Sequence, residues 1–68
     1  MTRMEWLAEA DYIEQEAQKL SRGESWHAGT LGQFREYCEM QAQHAERDGY
    51  SQIAADIRES AKRAWGWS

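Results

Sequence analysis

The residues best suited to chemistry sit together in mid-chain, where Glu36, Cys38, Glu39, Met40 and His44 fall within one stretch of helical composition. Carboxylates, a thiol and an imidazole are side chains that hold transition metals. On a helix, Glu36, Met40 and His44 share a face at i, i+4 and i+8, whereas Glu39 lies five positions before His44 and points elsewhere. A carboxylate-bridged pair of metals in a bundle takes pairs of Glu-x-x-His motifs on facing helices, and no such pair is present. The other histidine, His27, has no second His or Cys at ligand spacing, so zinc lacks a four-ligand set. The expectation is therefore no metal and no cofactor, with His44 an interface or half-buried helix residue.

Nucleophilic chemistry finds no better footing. Cys38 lies on an apolar stripe, where a thiol behaves as a small inert hydrophobe, and His44 is six residues further on, well over a turn away. Ser25 and His27 are neighbours in sequence only, and so short a chain offers little concave volume for a substrate. Gly29-Thr30-Leu31-Gly32 has neither the spacing nor the lysine of a phosphate-binding loop. No catalytic residue is assigned, and the chain is not expected to be an enzyme.

The elements that must position these side chains are helices. Proline is absent, alanine, glutamate, glutamine and arginine are abundant, and glycine supplies the punctuation. Thr2-Arg3-Met4-Glu5 fits a capping box and opens a first helix over about 3–22, ended by Gly23. Trp6, Ala10, Ile13, Ala17 and Leu20 follow at 4-3-4-3 spacing, a coiled-coil type of seam widened by Met4 and Leu7. Gly23 to Gly29 reads as the longest loop. Thr30-Leu31-Gly32-Gln33 is a second capping box, opening a helix over about 31–48. Its apolar side runs Leu31, Phe34, Cys38, Ala42 (or Gln41) and Ala45, with Tyr37, Met40 and His44 as an adjacent stripe. Gly49 ends it, and Ser51 is the expected N-cap of a third helix over 52–65, with Ile53, Ala54, Ile57, Ala61, Ala64 and Trp65 on one face.

The short link between the second and third helices predicts an antiparallel hairpin. The run from His44 to Ala54, through Glu46, Gly49, Tyr50 and Ile53, resembles the inter-helix turn of rubrerythrin-type ferritin-like bundles, an Ala-Glu-x-x-Gly-aromatic-x-x-Ile-Ala run joining two core helices. The resemblance spans about a dozen residues. That family's metal motif would place a Glu-x-x-His downstream, where this chain has Glu59-Ser60-Ala61-Lys62, so the resemblance implies only helix–Gly–helix geometry.

With 68 residues the chain makes one small all-α domain of three helices, the first packed across the hairpin or reaching to a second copy. One cysteine excludes an internal disulfide and suits a reducing cytosol. The N-terminus lacks a secretory pattern and no stretch is apolar enough for a membrane span, so the expected location is cytoplasmic. Large residues for one core are few, and a homodimer sealed through Trp6, Ala10, Ile13 and Ala17 is the expected assembly.

Charge and aromatic content direct the functional expectation. A net charge of −4 and a pI near 5.0 oppose attraction to phosphate backbones. Between residues 5 and 16 the first helix carries Glu5, Glu9, Asp11, Glu14 and Glu16 with no basic residue. This is either an ordinary solvated face complementing the helix dipole, or an acidic surface for a basic groove on a partner, including mimicry of nucleic acid. Arg58, Lys62 and Arg63 precede Trp65-Gly66-Trp67-Ser68. Four tryptophans, three tyrosines and one phenylalanine exceed what so small a core readily absorbs, although any single Trp serves a core before a partner. Trp67 either folds back or inserts into a partner, and Trp26-His27 poses the same choice.

The expected function is a small non-enzymatic protein-binding module, an inhibitor, adaptor or accessory regulator of a larger protein, contacting it through Trp26, His27, Tyr37, Met40, His44 and Trp67. Short acidic stand-alone proteins of bacteriophages that modulate host systems are the class-level analogy. A helix-turn-helix regulator using Arg58, Lys62 and Arg63 is the first alternative, although Asp56 and Glu59 interrupt that basic face. A metal-binding bundle is the second.

Overall fold

A computed structural model describes residues 1–64 as α1 (Arg3–Ser21), α2 (Leu31–Arg47) and α3 (Ser51–Ala64). Trp65 and Trp67 lie outside the described residues. Both capping boxes are closed. The Thr2 hydroxyl accepts the Glu5 N–H at 3.2 Å while the Glu5 carboxylate accepts the Thr2 N–H at 2.8 Å. Thr30 and Gln33 repeat the arrangement at 3.1 and 2.8 Å. Gly29 leaves room for the second box, because a Cβ there would lie 2.2 Å from the Gln33 side-chain oxygen and push that side chain aside.

Between α2 and α3 the chain reverses through Gly49 at φ 93°, with the Tyr50 N–H returning to the Ala45 carbonyl at 2.8 Å and the Gly49 N–H to Glu46 at 3.0 Å. Such a left-handed glycine cap needs a residue without a Cβ penalty. The Tyr50 carbonyl then accepts the Ala54 N–H at 3.0 Å, so α3 starts one residue earlier than its sequence suggests and Ser51 is its first residue rather than its cap. The helix–Gly–helix geometry implied by the ferritin-like turn is present.

The helices run up, down and up, and α3 is the centre of the molecule. It packs extensively on both α1 and α2, which touch each other much less. The reason is the apolar pattern of α3, which buries Ile53, Ala54, Ile57 and Ala64 between its neighbours. Phe34, Cys38, Ala42 and Ala45 come from α2, and Trp6, Ile13 and Ala17 from α1. Five of these eleven buried residues are alanine, so the helices approach closely and a few large side chains suffice to fill the interior. The radius of gyration, 11.3 Å, is close to the roughly 11 Å expected of a closed globule of this length.

Two expectations are corrected here. Trp6, Ile13 and Ala17, assigned to a contact between two copies, are 2%, 0% and 1% exposed inside one chain, and Ala10 is half-buried. The seam is consumed because α3 offers an alanine-rich face within reach. Conversely, Met4 and Leu7, expected to widen the seam, stand 80% and 45% exposed. The core is completed without them. No helix among the described residues is long and apolar enough to cross a membrane.

Candidate interaction surface

Trp26, at the centre of the inter-helix loop, is half-buried against the core. Its ring meets Phe34 edge-on with centroids 5.2 Å apart and Tyr37 at 5.7 Å, and its indole N–H donates to the Tyr12 hydroxyl at 3.4 Å. An isolated backbone bridge from Trp26 to Gly29 closes the loop behind it. Trp26 thus works as a plug over the end of the helices more than as a free anchor for a partner. His27 stands outside this plug with its side chain 68% exposed, and Nδ1 lies 3.4 Å from Glu16 Oε1. The Glu16 carboxylate, itself nearly buried, also meets Lys19 Nζ at 3.2 Å.

Tyr37 joins α2 to α1 by donating its hydroxyl proton to Glu9. Burial first, and then that hydrogen bond, push the phenol well above its ordinary ionisation range. The structure therefore brings Trp26, His27 and Tyr37 into one cluster. Met40, 52% exposed, and His44, also exposed, follow on the open stripe of α2. His44 borders a shallow cleft shared with Met1, Trp6, Arg47 and Asp48. Inside it the Trp6 indole donates to Asp48 Oδ2 at 2.8 Å and the N-terminal ammonium approaches the same oxygen at 3.3 Å. These contacts, the indole foremost, hold the Asp48 carboxyl below its usual range.

The metal candidates on α2 diverge. Cys38 is 1% exposed and faces the core, where burial pushes its thiol up to about 12. Glu39 is engaged by Arg58 of α3 at 3.1 Å, and Arg58 also reaches Glu46 at 2.9 Å. Both carboxyls are lowered by that guanidinium. Among the described residues no group of three His, Cys, Asp or Glu side chains converges on a point that could hold a metal ion.

The acids of α1 do not form one strip. Glu5 closes the capping box, Glu9 accepts from Tyr37, and Glu16 meets Lys19 and His27. Asp11 and Glu14 are the ones turned to the other side, where α1 and α3 lie side by side. There an open groove of about 370 Å³ has Ala10 and Ser60 at its base. Leu7, Asp11 and Glu14 form one wall, and Asp56, Glu59 and Arg63 the other. Among the described residues, the ion pair across it joins Arg63 Nη1 to Glu14 Oε1 at 3.6 Å. Sequence reasoning missed this surface. Asp56 and Glu59 registered only as interruptions of a basic face, and Leu7 as a widening of the α1 seam.

No protein family, no curated protein and no solved structure matches this chain. The functional reading therefore rests on the surface itself.

Proposed function

We propose that this chain is a non-enzymatic protein-binding module, which acts by covering a surface of a larger protein as an inhibitor, adaptor or accessory regulator. The observation that carries the reading is the exposed apolar end of α1, where Met1, Met4 and Leu7 are 58%, 80% and 45% exposed although the core is complete without them. Large apolar side chains left in water beside acidic groups mark an interaction site better than a substrate pocket. The clefts lined by Leu7 and Arg63, by Trp6 and Asp48, by Trp26 and Leu31, and by Arg35 and Glu39 are open to solvent.

The same geometry weakens the nucleic-acid alternative. Arg58 is shared between two carboxylates and Arg63 is paired with Glu14, so two of the basic side chains of α3 already face carboxylates. Affinity capture from the native host's lysate, followed by mass spectrometry and a reciprocal capture, tests the proposal. The expected result is one larger protein retained in stoichiometric amount and insensitive to nuclease. Retention of nothing above the bead control, or retention abolished by nuclease, would overturn it.

A further inference from the structure

The geometry points to one occupant for the groove between α1 and α3: an amphipathic helix of the partner protein, carrying Lys or Arg beside aliphatic side chains. This inference rests on the protein-binding reading and adds the site and the chemistry of the partner.

Shape comes first. Two helices running in the same direction leave a trough between them, and its base here is made of Ala10 and Ser60, small residues that let a third helix approach closely. On α1, Met4, Leu7, Asp11 and Glu14 follow one another at steps of three and four, so they share one side of the helix. The exposed Met4 continues the wall of the groove one turn beyond Leu7. A helix laid in this trough would shield Leu7 and Met4, and the unbranched Met4 can adjust to the side chains it meets.

Charge then selects the partner. Among the described residues the walls bear the carboxylates Asp11, Glu14, Asp56 and Glu59 against the guanidinium of Arg63, a formal balance of −4 + 1 = −3. A second copy of this chain would bring the same negative walls against these, and duplex phosphates would be repelled likewise. Lysine and arginine satisfy both demands at once, because their aliphatic stems cover apolar surface while their heads reach the carboxylates. The apolar contact supplies affinity and the rim charges supply steering, so binding should weaken as salt rises.

The test uses the full chain and a synthetic amphipathic helix of leucine and lysine as the probe, with a same-composition peptide of scrambled order as control. Saturable binding by fluorescence anisotropy is expected for the amphipathic probe only, with backbone amide shifts centred on Leu7, Asp11, Asp56 and Glu59. The paired change Asp56→Lys with Glu59→Lys should weaken binding about ten-fold or more, by reversing two rim charges. The control pair Glu24→Lys with Glu36→Lys makes the same change in net charge away from the groove and should leave affinity within about two-fold. Each variant is first shown to keep the helical melting transition of the parent.

Shifts centred instead on His27, Met40 and His44, equal weakening by the control pair, or no saturable binding would each overturn the groove assignment. Lysate capture with the parent and the groove variant separates the two levels. The same larger protein retained equally by both would sink the groove and leave the protein-binding reading standing, whereas failure of the parent to retain any protein would sink that reading.

Discussion

Ile13 decides between a core closed within one chain and a seam shared by two. It is 0% exposed in the single chain, with Trp6 and Ala17 on the same face of α1. Ile13→Ala deletes three carbon groups, worth about 0.8 kcal/mol each in transfer from water, or about 2.4 kcal/mol together. The cavity left behind adds to this, giving about 3 kcal/mol within the range of roughly 2–5 observed for such truncations. At 4–8 °C per kcal/mol for a domain of this size, the melting temperature should fall by roughly 12–24 °C.

The assay is urea unfolding followed by circular dichroism at two protein concentrations about twenty-fold apart, for parent and variant, because a dimer's midpoint moves with concentration and a monomer's does not. The expected outcome is a concentration-independent midpoint for both proteins, a large downward shift for the variant, and light scattering at the mass of one chain. A parent midpoint that rises with concentration, or an Ile13→Ala protein that stays equally stable while losing mass, would refute the assignment of this residue to the core of one chain.

Three further outcomes are expected. Cys38, buried and with its thiol pushed up to about 12, should resist a thiol reagent at mildly alkaline pH in the folded protein and react at once in denaturant; rapid labelling of native protein would refute its inward placement. Because the folded pKa of Cys38 is raised, its contribution is complete below the unfolded value near 9.0 and is lost as pH climbs toward about 12, with Tyr37 shifted in the same direction. The carboxyls of Glu5, Glu39, Glu46 and Asp48 are lowered, so their contribution holds above the ordinary values of 4.5 and 3.8 and is lost as pH falls below them. Thermal melts across pH should therefore decline at both extremes, and a flat profile would contradict these contacts. Finally, Gly29→Ala should displace the Gln33 side chain from its hydrogen bond to the Thr30 N–H and cost about 1 kcal/mol. Adding Gln33→Ala should cost little more, and full additivity in denaturant titrations would show that the box is not what the methyl disturbs.

The features legible in the sequence are those set by neighbours three to five residues away. Thr2 with Glu5, Thr30 with Gln33, and Gly49 after α2 each settle a helix end through bonds within one turn, so three helices and their hairpin follow without tertiary information. Periodicity likewise identified Ile53, Ala54 and Ile57 as a face that must be covered. It could not say what covers a face. Whether Ile13 meets α3 of its own chain or another copy, and whether Leu7 falls inside or outside, depends on how far α1 rotates when it settles on α3, and a seam of mixed alanine and large residues permits more than one rotation. Charge is the extreme case. Asp11 and Glu14 are joined in one groove with Asp56 and Glu59 only because the chain turns back twice, and the charge of Arg58 is shared by Glu39 and Glu46 only because these stand opposite it on α2. Electrostatic neighbours act through space over several ångströms, so their sum belongs to the tertiary arrangement, while a cap belongs to its own turn of helix.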